Sequence, residues 1–210
     1  MENVLVAGAN GTTGKKIINL LKASQYFTPV AMVRTKEQQE QFKKDNIRTV
    51  LGDLEKDLSH AVENIDKLIF AAGSGGEKVV EVDQEGAKRL MDAANKAMIK
   101  KFVMLSSMGA DNPKAVEDLE DYMEAKHNAD EYLKSSGLTY AIVRPGTLTN
   151  DAGTGKIKLQ SKLGEQGSIT RDDVAQTLVR ALHDDTAKNK TFEIIQGEML
   201  IGKAMDEVSA

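Results

Sequence analysis

Tyr122 and Lys126 stand four residues apart in a stretch, Leu119 to Ser135, that repeats with helical period, so both project from one face. The same stripe holds Leu119, Ala129 and Leu133, which turns the pair toward the interior. An ammonium in that place favours the tyrosinate, and a tyrosine so poised can give or take a proton. Of the four tyrosines, only Tyr122 has a lysine four residues on. At the other end of the chain, G-A-N-G-T-T-G sets Gly8, Gly11 and Gly14 at GxxGxxG spacing, with Asn10, Thr12 and Thr13 between them. Glycines allow a tight turn and a close backbone approach to a pyrophosphate. The helix that follows presents free N–H groups and the positive end of its dipole. The bland alternative is a glycine-rich turn without a ligand; the position between a first strand and a first helix favours the phosphate reading.

Arg34 ends the second apolar run, with Lys36 close by. A carboxylate in this place would hold a ribose 2′-hydroxyl, whereas a guanidinium grips a 2′-phosphate through paired hydrogen bonds. Otherwise Arg34 is a solvated surface residue. Asp83 lies on a helical stretch, Val79 to Met98, whose apolar stripe includes Val79, Ala87, Leu90 and Ala94. It is either an exposed first-turn carboxylate that suits the helix dipole, or a polar group beside an active centre.

These residues need a frame. Val4 to Ala7, Val30 to Val33, Ile47 to Leu51, Leu68 to Ala72, Phe102 to Leu105 and Ala141 to Val143 are apolar at nearly every position, as in parallel strands buried on both faces. Amphipathic stretches alternate with them: Thr13 to Ala23, Lys36 to Lys44, Val79 to Met98 and Leu119 to Ser135. The alternation predicts right-handed βαβ units in a doubly wound parallel α/β sheet. Thr170 caps a later helix with Asp173 at the reciprocal position. Thr191 to Ile195 reads as a last strand and Gly202 to Val208 as a final helix. Asn150 to Ser168, rich in glycine and lysine, reads as a mobile loop or small hairpin able to close over the site. Ligands bind beyond the carboxyl ends of parallel strands. Asp53 and Leu54, Ala72 and Gly73, Ser106 and Ser107, and Pro145, Gly146, Thr147 and Leu148 all fall there.

The 210 residues suit a single domain, with 40% hydrophobic and 29% charged residues as in a soluble globular protein. A net charge of −4 argues against nucleic acid or an anionic membrane as partner. The chain has no cysteine, so disulfides and thiolate chemistry are excluded. His60, His127 and His183 are too far apart for metal-ligand spacing, and no metal is expected. The absence of a signal peptide or spanning run leads to the expectation of a cytoplasmic protein, monomer or homodimer.

Taken in order, G-A-N-G-T-T-G at Gly8, V-R at Val33, G-D-L at Gly52, F-V-M-L-S-S at Phe102, Y-M-E-A-K at Tyr122 and I-V-R-P-G at Ile142 resemble the short-chain dehydrogenase/reductase superfamily over nearly the whole chain. The small atypical members described as NAD(P)-dependent epimerases or NAD(P)H-binding proteins are the most similar. The resemblance implies a Rossmann fold and NADP(H), with NAD the lesser expectation. It implies a catalytic serine at Ser107 with Ser106 adjacent, the family tyrosine at Tyr122, and a lysine, Lys126, that also holds the nicotinamide ribose. Pro145 to Leu148 match the segment that meets the nicotinamide. The chain departs from the family at Asp83, where asparagine is common, and has no large C-terminal substrate domain, which disfavours a nucleotide sugar. The expected activity is NADP(H)-dependent oxidoreduction of a small carbonyl-like acceptor. The rivals are a redox-sensing module without turnover and a sugar epimerase or dehydratase.

Overall fold

A computed structural model of the chain describes residues 1–115 and 119–210. In chain order the strands are β1 (Glu2–Ala7), β2 (Phe27–Val33), β3 (Arg48–Leu51), β4 (Lys67–Phe70), β5 (Lys101–Leu105), β6 (Tyr140–Pro145), β7 (Thr147–Thr149), β8 (Lys156–Gln160), β9 (Ser168–Thr170), β10 (Lys190–Gln196) and β11 (Met199–Leu200). The α-helices are α1 (Thr12–Lys22), α2 (Lys36–Lys44), α3 (Glu85–Lys96), α4 (Glu120–Ser135), α5 (Arg171–Arg180) and α6 (Ile201–Ser209). The main sheet has the order β11-β8-β10-β6-β5-β4-β1-β2-β3, and every pairing from β10 to β3 is parallel. The chain therefore winds outward from β1 to β3, returns, and lays β4 on the free side of β1. That reversal opens a crevice between the carboxyl ends of β1 and β4, the place where this Rossmann arrangement binds ligands.

Side-chain alternation divides the core into two layers. Val4 and Val6 of β1 face Ile17, Leu21, Val174, Leu178 and Met205 from α1, α5 and α6. Leu5 and Ala7 face the opposite layer, with Leu90 and Met91 of α3 and Ala129 and Leu133 of α4. Burial on both faces explains why these strands read as continuous apolar runs.

Three expectations need correction. The stretch from Val79 to Met98 is not one regular helix: residues 79–84 form a wide π-type turn before α3, and Met98 lies beyond it at φ 55° and 86% exposed. Leu119 is 50% exposed and lies outside the stripe it was expected to share with Ala129 and Leu133, because it stands just before the first turn of α4. Asn150 to Ser168 is not a free loop. Its K-I-K-L-Q run forms β8, antiparallel to β10 and β11, with Ile157 fully buried, and β9 pairs with β7. The tether is Asp173. Thr170 caps α5 by accepting from the Asp173 amide at 3.1 Å, as expected. The Asp173 carboxylate accepts from the Thr170 hydroxyl and also reaches outward to the amides of Thr154 (3.0 Å) and Gly155 (2.7 Å). Among the described residues, no helix is long and apolar enough to cross a membrane.

Candidate active site

The glycine motif forms the turn from β1 into α1. Gly8 has φ +85°, and a Cβ there would lie 2.6 Å from the backbone of Ala71 and Ala72, so only glycine lets the β1 and β4 ends approach. A Cβ on Gly14 would lie 2.0 Å from the Gly8 carbonyl oxygen; this glycine packs the helix against its strand. Gly11 is the N-cap of α1 and makes no side-chain capping bond. The first-turn amides of α1 lack intrahelical acceptors, and no acidic residue sits among them. Thr12 is exposed, whereas Thr13 and Gly14 are buried in the joint.

Beside this turn is a cleft of about 390 Å³. Gly8, Asn10, Gly11, Arg34, Asp53, Leu54, Ala72 and Gly73 all line it, as their strand-end positions predict. The Arg34 backbone amide donates to Gln38 Oε1 at 2.9 Å, while its guanidinium makes no hydrogen bond or ion pair among the described residues. Lys78 and Glu55, which the sequence reading did not single out, also line the cleft and pair across it at 2.6 Å. An extended dinucleotide fits this place chemically: a glycine turn that a Cβ would block, free helix amides for a pyrophosphate, and an unpaired cation at the β2 end.

Behind the cleft wall at Gly73 and Ser74 stand Asp83, Lys126 and Tyr122, none of which lines the cleft itself. Asp83 is 1% exposed, so the exposed first-turn alternative fails. Its Oδ2 accepts from the Ser74 amide at 2.9 Å, and its Oδ1 lies 3.2 Å from the Lys126 ammonium. The wide turn at residues 79–84 is what swings Asp83 toward α4. Lys126 is itself 4% exposed, and its Nζ stands 5.4 Å from the centre of the Tyr122 ring. Burial acting alone would lower the Lys126 pKa; the charges of Tyr122, Asp83 and Asp130 outweigh it and hold the ammonium above its ordinary value. Gly73, Ser74 and Asp83 thus connect the cleft wall to Lys126 and Tyr122.

Ser107 arrives from the end of β5. Hydrogen bonds from the Ser106 amide to the Val143 carbonyl and from the Met108 amide to the Pro145 carbonyl place it beside Pro145 and Gly146. The Ser107 hydroxyl contacts the Met108 carbonyl at 3.3 Å and makes no bond to Tyr122 among the described residues. Ser106 is turned inward: it is 4% exposed and donates to Asp130 at 2.8 Å, so any cofactor contact would be through its backbone. Gly146 packs where a Cβ would lie 2.2 Å from the Gly167 carbonyl oxygen. Thr147 is exposed, and Leu148 packs on the core edge. Sequence reasoning missed Asp130 and Arg144. Their signal was present: a charged residue closing an otherwise apolar strand, and a carboxylate one turn beyond Lys126.

This fold and site define a dinucleotide-binding domain with a tyrosine–lysine pair joined through Asp83 and Ser74 to the wall of its cleft. The chain belongs to the NAD(P)H-binding family, whose model matches residues 8–185. It is 38% identical to an uncharacterized sugar epimerase of Bacillus subtilis, YhfK, over 98% of this chain and 99% of that one. The sanguinarine reductase of Eschscholzia californica is 29% identical, over 99% and 93% of the two chains. A crystal structure of the oxidoreductase ylbE from Lactococcus lactis superposes with a TM-score of 0.88 at 30% identity, covering 98% and 96%.

Proposed function

We propose that the chain is an NADP(H)-dependent oxidoreductase that reduces a small carbonyl-like acceptor. The observation that carries this reading is the buried Lys126 ammonium, 3.2 Å from Asp83 and 5.4 Å from the Tyr122 ring, with Asp83 bonded to Ser74 of the cleft wall. The bound nicotinamide would supply the hydride. The first-turn amides of α1 would hold the pyrophosphate, and Arg34 would hold the 2′-phosphate. Lys126 would hold the nicotinamide ribose and keep a positive charge beside Tyr122. Tyr122 gives its hydroxyl proton to the acceptor oxygen, which Ser107 orients. The reductase and oxidoreductase among the similar proteins support this class of activity.

The epimerase name of the Bacillus subtilis relative supports a second reading, in which the Tyr122–Lys126 pair would move the proton of a sugar hydroxyl while hydride passes between its carbon and the nicotinamide. Beyond β6 the described residues form β7 to β11, α5 and α6, and α5, β10 and α6 pack into the core of the same domain, which favours the smaller acceptor. The test is a screen for NADPH consumption against small aldehydes, quinones and flavins, followed by Tyr122→Phe on the acceptor found. The variant keeps its ring packing, so NADPH affinity stays near that of the parent while turnover falls roughly 10²–10⁴-fold. Undiminished turnover refutes the assigned mechanism. NADPH binding without any acceptor makes a redox-sensing module the better reading.

A further inference from the structure

Behind Lys126 lies a second set of buried charges. Asp130 stands one helical turn further along α4 and has no exposed surface. Its Oδ2 accepts two hydrogen bonds, from Ser106 Oγ at 2.8 Å and Arg144 Nε at 2.9 Å, and Arg144 Nη2 lies 2.8 Å away as an ion pair. Its Oδ1 accepts none among the described residues. Ser106 and Arg144 are 4% and 5% exposed and sit at the carboxyl ends of β5 and β6. One carboxylate therefore ties the two strand ends that deliver Ser107 and Pro145 to the helix that carries Tyr122 and Lys126.

Stability does not account for such a cluster. Apolar residues of similar volume commonly replace a buried ion pair without loss, because desolvation offsets the attraction. The arrangement of charge is more informative. Lys126 is faced by Tyr122 and Asp130 from its own helix and by Asp83 from the turn at residues 79–84, and Arg144 of β6 faces Asp130. Asp83, Lys126, Asp130 and Arg144 alternate in sign and sum to zero.

We propose that Asp130, anchored by Arg144 and Ser106, is a positioning residue for Lys126: it fixes α4 to the ends of β5 and β6 and sets a carboxylate one helical turn from the buried ammonium. The inference deepens the proposed oxidoreductase reading and rests on it for its functional consequence. Replacing Asp130 with asparagine removes a negative charge and leaves Arg144 as a second buried cation near Lys126. Both changes favour the neutral amine. Burial pushes the Asp130 carboxyl above the usual carboxylate range, opposed by Arg144 and Ser106.

The experiment uses the full chain labelled with ¹³C at the lysine ε-carbons, with the Lys126 signal assigned by its loss in Lys126→Met. In the parent, Lys126 titrates above the ordinary lysine range or stays charged until the protein unfolds. In Asp130→Asn it titrates at least one pH unit lower than in the parent, a tenfold change in acid dissociation. Asp130→Glu restores most of the parent value. NADPH affinity, followed by fluorescence, weakens in Asp130→Asn at a pH where the parent is unchanged. A purely structural Asp130 lowers the melting temperature and leaves both titrations in place. If Asp130→Asn does not fold, the double variant Asp130→Asn with Arg144→Met leaves neither partner alone, and Lys126 still loses the carboxylate. An unmoved Lys126 titration in the folded variant overturns the proposal. A parent that binds no NADPH refutes the cofactor reading, and the lysine titration then decides this proposal on its own.

Discussion

On the proposed reading Arg34 sets the cofactor preference, and its contribution follows from its surroundings. The guanidinium is exposed, so its field is that of a charge near water. Two unit charges at 4 Å attract by about 1 kcal/mol in water, and a 2′-phosphate carries about −1.5 to −2 at neutral pH. The pair therefore contributes about 1.5–2 kcal/mol before its neighbours are counted. Five charged side chains line the cleft: Arg34 and Lys78 against Asp53, Glu55 and Glu77. Lys78 and Glu55 neutralise each other at 2.6 Å and Asp53 pairs with Lys56 at 3.5 Å, which leaves Arg34 working chiefly against Glu77. Part of the attraction is cancelled, and a preference for NADPH over NADH of about tenfold remains, near 1.4 kcal/mol. Fluorescence titration of Arg34→Ala should show NADPH binding weakened by about that factor and NADH binding unchanged. Arg34→Asp should abolish or invert the preference. Because the group is exposed, the parent's preference should shrink as salt rises from 0.1 to 1 M. Equal dissociation constants for the two cofactors in the parent at low salt refute the reasoning.

Two further outcomes test the frame. Gly14→Ala places a Cβ 2.0 Å from a backbone oxygen that cannot swing aside, so α1 must shift. We expect a loss of about 2–3 kcal/mol, a fall of roughly 5–10 °C in Tm by calorimetry, with weaker NADPH binding. Lys101, 1% exposed, donates to the carbonyls of His183 and Thr186 beyond α5, and burial, aided by the Lys67 ammonium, holds it down to about 8. The unfolded chain keeps the ordinary 10.5 and binds more protons between about pH 8 and 10.5, so this contribution to stability rises with pH across that window. Below about pH 8 the burial penalty is present in full. Urea midpoints of the parent should rise over this range relative to those of Lys101→Met, and parallel curves would refute the assignment.

What the sequence made legible and what it hid have separate physical causes. The parallel strands were readable because burial on both faces suppresses polar residues along whole runs, as in Val4 to Ala7 and Ala141 to Val143. The glycine turn was readable because Gly8 and Gly14 stand where any Cβ meets backbone. The strand β8 was harder. It lies near the sheet edge with one face wet, so its apolar residues reduce to Ile157 and Leu159 between two lysines and a glutamine, and the glycines on either side suggested a loop. Asp83 could not be settled from periodicity, since a π-type turn changes the angle per residue and moves the side chain off the face that a 3.6-residue repeat predicts.

The buried charges behind the site were hidden for a different reason. Helical and strand patterns report which positions face inward, but they treat a charge in an inward position as an exception to be explained away at the surface. Asp130 and Arg144 are inward on both patterns: Asp130 is four residues from Lys126 on α4, and Arg144 follows Val143 on β6. Neither can be buried alone. Two such positions of opposite sign, on elements that the βαβ topology makes neighbours, imply each other. That rule would have placed Asp130 against Arg144 from sequence alone. It would also have turned Ser106 inward, leaving Ser107, the next residue, as the less buried hydroxyl at this strand end.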